Sequence, residues 1–270
     1  MVRHALGEGR VGHAGTLDPP ATGLLVVLTG RATRLAQFVS MLPKRYSGVV
    51  RFGTETSTDD ATGAVVGESD DSWRGRLQPE LDAALRNVQG RTRQMPPAVS
   101  AKKIGGERAY RQVRRGEKPA LEPASVVIER LRCEWFDRQS GEVHVDVVCS
   151  SGTYVRAIAR DVGRELGTKA HLASLRRTEI GSWKVDDSLP LTVDGPPLTV
   201  DGKHFRPMSE AVAHLPAVLL PAEEAKRFTQ GRKIPSPLPD GPVAVFSAAE
   251  LLGVAKQSLG LLHPDVVLIG

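Results

Sequence analysis

EVHVDVVCSSGTYVRAIARDVGRELG, residues 142–167, changes its period in the middle. Val143, Val145, Val147 and Cys149 alternate with polar residues, the spacing of a half-buried strand. After Ser-Ser-Gly, Val155, Ile158, Ala159, Val162 and Leu166 recur at helical spacing, and Gly167 supplies a stop. A strand turns into a helix here within four residues. Outward from it, YSGVVRFG (46–53) reads as another strand and TETSTDDATG as the polar loop after it. PELDAALRNV (79–88) and RATRLAQFVSML (31–42) read as amphipathic helices, the second ended by Pro43. Strands and helices mix without a regular βαβ rhythm, so the reading is an α+β, mixed α/β sheet with flanking helices.

The C-terminal part differs in character. LTVDG occurs twice, seven residues apart, within 189–207, too short a repeat for a solenoid. We read residues 191–214 as a linker that separates a first domain, 1–190, from a small β-rich module, 215–270, with short apolar runs such as AVLL and DVVLIG.

Composition narrows the function classes. The 270 residues contain 40% hydrophobic and 25% charged side chains, ordinary for a globular protein. No apolar run approaches the roughly 18–20 residues that span a bilayer. MVRHALGEGR at the start is too polar for a signal peptide, so the expected location is the cytoplasm. The two cysteines, Cys133 and Cys149, lack metal-ligand spacing and are expected as reduced core residues. Net charge is +5, yet residues 86–118 alone hold ten basic residues against Glu107 and Glu117. Prolines and glycines inside that window suggest an extended basic loop suited to a phosphate backbone, although a solvated face has the same charge.

Several motifs fail in context. GEGRVG (7–12) fits G-x-G-x-x-G but neither follows a strand nor opens a long helix. There is no P-loop, nucleophile elbow or paired-histidine metal motif. That leaves Asp18, set in GHAGTLDPPATGLL (12–25) between a glycine turn and a Pro-Pro step. It can be a turn or helix-cap residue, or a carboxylate nucleophile. Arg156 lies in the first turn of the 155–166 helix, where a cation opposes the helix dipole. It can be solvated, grip a phosphate, or pair with a semi-buried carboxylate such as Asp18. The three tyrosines, Tyr46, Tyr110 and Tyr154, all adjoin glycine or basic residues, and can pack or stack on a base.

Taken together, GHAGTLDPPATGLLVV, RATRLAQF, PKRYSGVVRFG, TSTDDATG, MPPAVSAKKIGGERAYRQVRRG, CSSGTYVRAIARDVG and HLASLRRTEIG resemble the TruB-type tRNA pseudouridine synthases, in order, over residues 12–181. The tail from about 215 resembles, more weakly, the family's PUA-type RNA-binding module. The resemblance implies a catalytic domain on a mixed, mainly antiparallel sheet, with no cofactor and no metal. It implies conversion of uridine 55 in the T-loop of tRNA to pseudouridine, through base flipping, glycosidic cleavage, uracil rotation and rejoining through C5. Asp18 matches the nucleophilic aspartate, Arg156 its arginine partner, and Tyr46 the tyrosine that stacks on the base and takes the C5 proton. Tyr154 and Leu175 match pocket residues, and His13 the histidine that holds the flipped nucleotide. Residues 94–118 match the RNA-clasping insertion, with Lys102, Lys103 and Arg108 as phosphate contacts.

The family pattern also begins with a K-P-x-G-x-[ST]-S strand and turn, whereas this sequence starts 17 residues before Asp18, inside the helix that follows. Loss of that strand would expose backbone groups of the sheet. The expected partner is tRNA, with no membrane and no guide RNA, and the expected state is a monomer. Rival readings are a guide-RNA-dependent synthase acting on ribosomal RNA, and a catalytically impaired RNA-binding or folding protein.

Overall fold

The structure is a computed structural model that describes residues 2–75, 78–100, 103–104, 107–117, 120–191 and 204–269, with backbone alone for 103, 104, 108, 110, 113 and 114. The duplicated LTVDG segment falls almost wholly outside the described residues. By packing, the chain forms two compact units, one of residues 17–24 and 42–186, the other of 1–16, 25–41 and 187–270.

The first unit is built on one sheet. Strands Ile128–Asp137, Glu142–Cys149, Lys44–Phe52 and Ala170–Ile180 lie side by side, all antiparallel. Trp183–Lys184 extends the last of these, and the short Thr22–Gly23 strand joins it in parallel, making the sheet mixed. Alternation gives this sheet one buried face. Val143, Val145, Val147 and Cys149 stand on it beside Lys44, Tyr46, Gly48 and Val50, as their register requires. The helices Gln78–Gln89 and Val155–Glu165 supply the facing stripes, with Leu81, Leu85 and Val88 from one and Val155, Ile158 and Val162 from the other. Cys133 and Cys149 are free thiols, and burial pushes the Cys149 thiol up to about 12.

An aromatic group closes the outer end of this core. Phe52 meets Trp73 and Phe136 at centroid separations of 6.2 and 6.1 Å, and the Arg74 guanidinium caps the indole. Gly141, at φ +76°, lets the 137–142 turn close over that indole, because a Cβ there would lie 2.6 Å from Trp73 Cη2. Gly141→Ala therefore combines left-handed strain with an overpacked ring, and should cost about 2–4 kcal/mol. A urea titration followed by tryptophan fluorescence measures it, and a loss below about 0.5 kcal/mol would contradict the packing argument.

Two sequence expectations change. TETSTDDATG contains strand Thr54–Thr56, paired with Val65–Glu68, and its two aspartates are buried rather than solvated. Residues 31–42 form a tight 3-10 helix, Gly30–Leu35, before only five α-helical residues, Ala36–Ser40.

In the second unit, Val11–Ala14 and Val26–Thr29 form an antiparallel ribbon. A five-stranded sheet is ordered Ala217–Leu219, Gly241–Ser247, Glu250–Ser258, Leu261–Val267, Ile234–Pro235. Helix Ala222–Thr229 buries Phe228 against Ile234, Val245 and Leu262. Arg31 donates to the carbonyl of Leu268 at 2.9 Å, and Arg34 to that of Val267, so the 30–35 helix and the last strand belong to one body. Among the described residues, no helix is long and apolar enough to cross a membrane.

Candidate active site

Asp18 sits in a turn, not at the start of a helix. Its carbonyl accepts the Ala21 N–H at 2.9 Å across Pro19 and Pro20, whose rings fix φ in the turn. Thr22 and Gly23 then pair in parallel with Arg176 and Arg177, and Leu24 N–H donates to the Arg177 carbonyl at 2.8 Å. Gly23 (φ +102°) is required by this approach, since a Cβ there would be 2.2 Å from the Arg177 oxygen. The carboxylate is thus carried on a loop stapled at once to the sheet.

Arg156 comes from the first turn of the 155–165 helix, whose N-terminal end is anchored from outside. Gln94 accepts the Tyr154 N–H at 2.9 Å and donates to the Tyr154 carbonyl at 3.1 Å. From that position Arg156 Nε and Nη2 donate to Asp18 Oδ2 and Oδ1 at 2.8 and 3.0 Å. This two-pronged geometry is the strong form of a charge-assisted bond. The same guanidinium reaches the carbonyls of Thr58 (2.9 Å) and Val99 (3.2 Å), and Asp60 Oδ2 at 3.4 Å. The Asp18 side chain is 35% exposed, against 6% for Arg156 and 5% for Asp60. The arginine is fixed from behind and offers its outer edge to the one carboxylate that can meet a ligand.

Asp60 is held in turn by the hydroxyl of Thr58 at 2.7 Å and the N–H of Thr62 at 3.0 Å. Beside it, Asp59 adopts φ +59° and bonds Arg160 at 2.8 Å, and Arg160 continues to Asp161 at 2.9 Å and the Met95 carbonyl at 2.8 Å. Burial pushes the Asp59 carboxyl up, opposed by Arg160. The sequence reading missed these residues. The signal was the threonine two residues to either side of Asp60, which is the spacing of a side chain that organises its own loop.

Tyr46, Leu175 and Arg177 line the floor. Leu175 pairs with Gly48 and Arg177 with Tyr46, so all four project from the buried face of two neighbouring strands. Burial pushes the phenol of Tyr46 up, with Arg177 pulling the other way. Burial also raises the phenol of Tyr154. The charge of Asp18 adds to the upward shift of both phenols.

The remaining expected residues are His13, Lys102, Lys103 and Arg108. His13 is exposed on the Val11–Ala14 strand, opposite Val27, and belongs to the other compact unit. Lys102 lies outside the described residues, while Lys103 and Arg108 face each other in the backbone ladder of a two-residue hairpin. Part of the basic window is neutralised, Arg115 from within by Glu107 and Glu117, and Arg91 from outside by Asp161 and Glu165. Among the described residues, no group of three or more His, Cys, Asp and Glu could hold a metal ion.

Comparison with known proteins shows the family. Residues 3–155, more than half of the chain, match the family described as TruB family pseudouridylate synthase (N terminal domain). Residues 216–268 match Pseudouridine synthase II TruB, C-terminal. A protein named tRNA pseudouridine synthase B from Synechococcus elongatus is 41% identical, over 99% of this chain and 91% of its own. One of the same name from Thermobifida fusca is 38% identical, over 100% and 92%. Among solved structures, that of a Cbf5-Nop10-Gar1 complex matches with a TM-score of 0.72 at 23% identity, covering 99% of this chain and 79% of the other. That of an H/ACA RNP bound to a substrate RNA matches with a TM-score of 0.70 at 19% identity, covering 100% and 79%. At such identities these two support the fold alone. The sequence blocks, the paired acid and arginine, and the family matches over both parts of the chain agree that it belongs to the TruB family of pseudouridine synthases.

Proposed function

We propose that this protein isomerises uridine to pseudouridine in tRNA, at position 55 of the T-loop, without a cofactor. The observation that carries the reading is the two-pronged Asp18–Arg156 pair, with the carboxylate one-third exposed. A carboxylate nucleophile needs an ionised, aimed oxygen, and the fork of Arg156 supplies the aim. In this reading the target base leaves the stack at a cost of a few kcal/mol, offset by stacking on Tyr46 and by backbone contacts. Asp18 acts in breaking the N1–C1′ bond, the uracil turns, and C5 bonds the ribose. Tyr46 takes the C5 proton, while Tyr154 and Leu175 wall the pocket and His13 supports the flipped nucleotide.

The division of labour we propose follows sequence character. Residues 1–190 carry the chemistry, 191–214 connect, 215–270 form a PUA-like RNA-binding module, and 94–118 clasp the RNA. The enzyme acts as a cytoplasmic monomer, without guide RNA. The 38–41% identity to proteins named tRNA pseudouridine synthase B, against 19–23% to the two ribonucleoprotein structures, favours the stand-alone reading over the guide-dependent one.

The test is incubation with an unmodified tRNA transcript, followed by mapping of pseudouridine. Product at uridine 55 alone, with no added RNA, is expected, and no product in any tRNA would sink the proposal. The clasp has its own test. Replacing Lys102, Lys103 and Arg108 with alanine should weaken tRNA binding and flatten its dependence on log salt by about two units, at roughly 0.7–0.9 per lost phosphate contact. An unchanged slope in a salt series of binding isotherms would show that these cations do not touch phosphate.

A further inference from the structure

Arg177 is 1% exposed, a cation sealed into the floor of the site. It stands directly opposite Tyr46 in the antiparallel register. Its Nε donates to the Leu24 carbonyl at 2.8 Å, and its charge acts on the Tyr46 phenol across the register, opposing the effect of burial. Its own carbonyl accepts Leu24 N–H at 2.8 Å, so one residue grips the Asp18-bearing loop with backbone and side chain together. A second cation shares the face: Lys44, two residues before Tyr46, also buried. Burial, and after it the charge of Arg177, lower the Lys44 ammonium to about 8. Burying a guanidinium costs several kcal/mol, and an apolar side chain of similar size would serve packing as well or better. Packing alone does not account for an arginine here. An oxygen that acquires negative charge does.

We propose that Arg177 is a positioning residue of the reaction: it locks the Tyr46 phenol against the Asp18 loop and takes up the negative charge of its oxygen in C5 deprotonation. The proposal rests on the reading of Tyr46 as the C5 base. In the step, the phenolate, its own proton already released to water, accepts the hydrogen on C5. The C–H electron pair restores the C5–C6 double bond, the C6–N1 π pair withdraws to N1, which takes a proton from solvent, and the phenol so formed returns its own proton to solvent. Arg177 is not consumed. Its contribution is that an anionic oxygen is stabilised in a place where burial alone disfavours it.

The test uses single-turnover conversion of a tRNA transcript carrying either ordinary uridine or uridine deuterated at C5. Arg177→Met, which replaces the buried charge by apolar volume, should keep its fold and its tRNA affinity. It should slow the reaction at least tenfold and raise the protium-to-deuterium rate ratio above that of the wild type, because C5 deprotonation becomes the slow step. Arg177→Lys should recover part of both. Tyr46→Phe is the control for the underlying reading. A raised ratio in Tyr46→Phe with an unchanged ratio in a slow Arg177→Met overturns the proposal and leaves Tyr46 as the base. An unchanged ratio in both overturns the Tyr46 reading, and this proposal with it. The fold is checked with tyrosine labelled at Cζ, since three tyrosines give three resonances, and that of Tyr46 is identified by its loss in Tyr46→Phe. If Arg177→Met does not fold, Arg177→Lys is read in its place, and a folded Arg177→Lys that is slow with an unchanged ratio also overturns the proposal.

Discussion

Asp18→Asn binds tRNA as the wild type does and converts no measurable uridine. The amide keeps the shape of the carboxylate and one acceptor for Arg156, so the turn over Pro19 and Pro20 stays closed. Arg156 still holds Asp60 and the carbonyls of Thr58 and Val99, so no buried cation is stranded. The side chain is also one-third exposed, and the stability change should stay within about 1 kcal/mol. An amide cannot serve as the carboxylate in glycosidic cleavage, so the rate should fall by roughly four orders of magnitude or more, as when a nucleophile is removed from other enzymes. Affinity by filter binding and conversion by pseudouridine mapping, on the same preparation, check both halves. Conversion above about a tenth of the wild-type rate would remove Asp18 from the mechanism.

Arg156→Met loses stability and activity together, for different reasons. Asp60, 5% exposed, is left with threonine donors but no cation, and the Thr58 and Val99 carbonyls lose their donor. Breaking a buried pair from one side costs about 3–5 kcal/mol. Asp18, freed from its fork, no longer has a fixed aim, so catalysis falls even in the fraction that remains folded. Arg156→Lys restores a charge but not the planar fork, so it should regain much of the stability and little of the rate. All three tryptophans, Trp73, Trp135 and Trp183, lie in the unit that contains Arg156, so their fluorescence in urea reports on the right body. A fully stable Arg156→Met would mean that the buried acid is neutralised in some other way.

The opening stretch, residues 142–167, shows what was legible beforehand. Val143 to Cys149 and Val155 to Leu166 face one another as their two periods require, because alternation and helical spacing follow from backbone geometry alone. Pairing Arg156 with Asp18 was also within reach, since a cation in a first helical turn calls for an anion nearby. The buried aspartates were not. TSTDDATG has the composition of a solvated loop, and only tertiary structure brings Arg156 and Arg160 to it. Arg176 and Arg177 make the same point at closer range. They are identical and adjacent, and strand alternation decides that one is exposed and the other sealed beneath the site.

The neck of the basic insertion has a consequence of another kind. Arg93–Gln94 and Ala124–Ser125 form a two-residue ladder, and Gln94 also clasps the backbone of Tyr154 at the root of the helix that bears Arg156. Met95 and Val99 add their carbonyls to Arg160 and Arg156, so the excursion proper begins only beyond Ser100. Loop closure grows only logarithmically with length, each doubling adding about 0.6 kcal/mol, so that excursion can be shortened, extended or rewritten at small cost. The grip is interchangeable and the chemistry is not: a graft between Ser100 and Ala124 is the place to give this enzyme a different RNA.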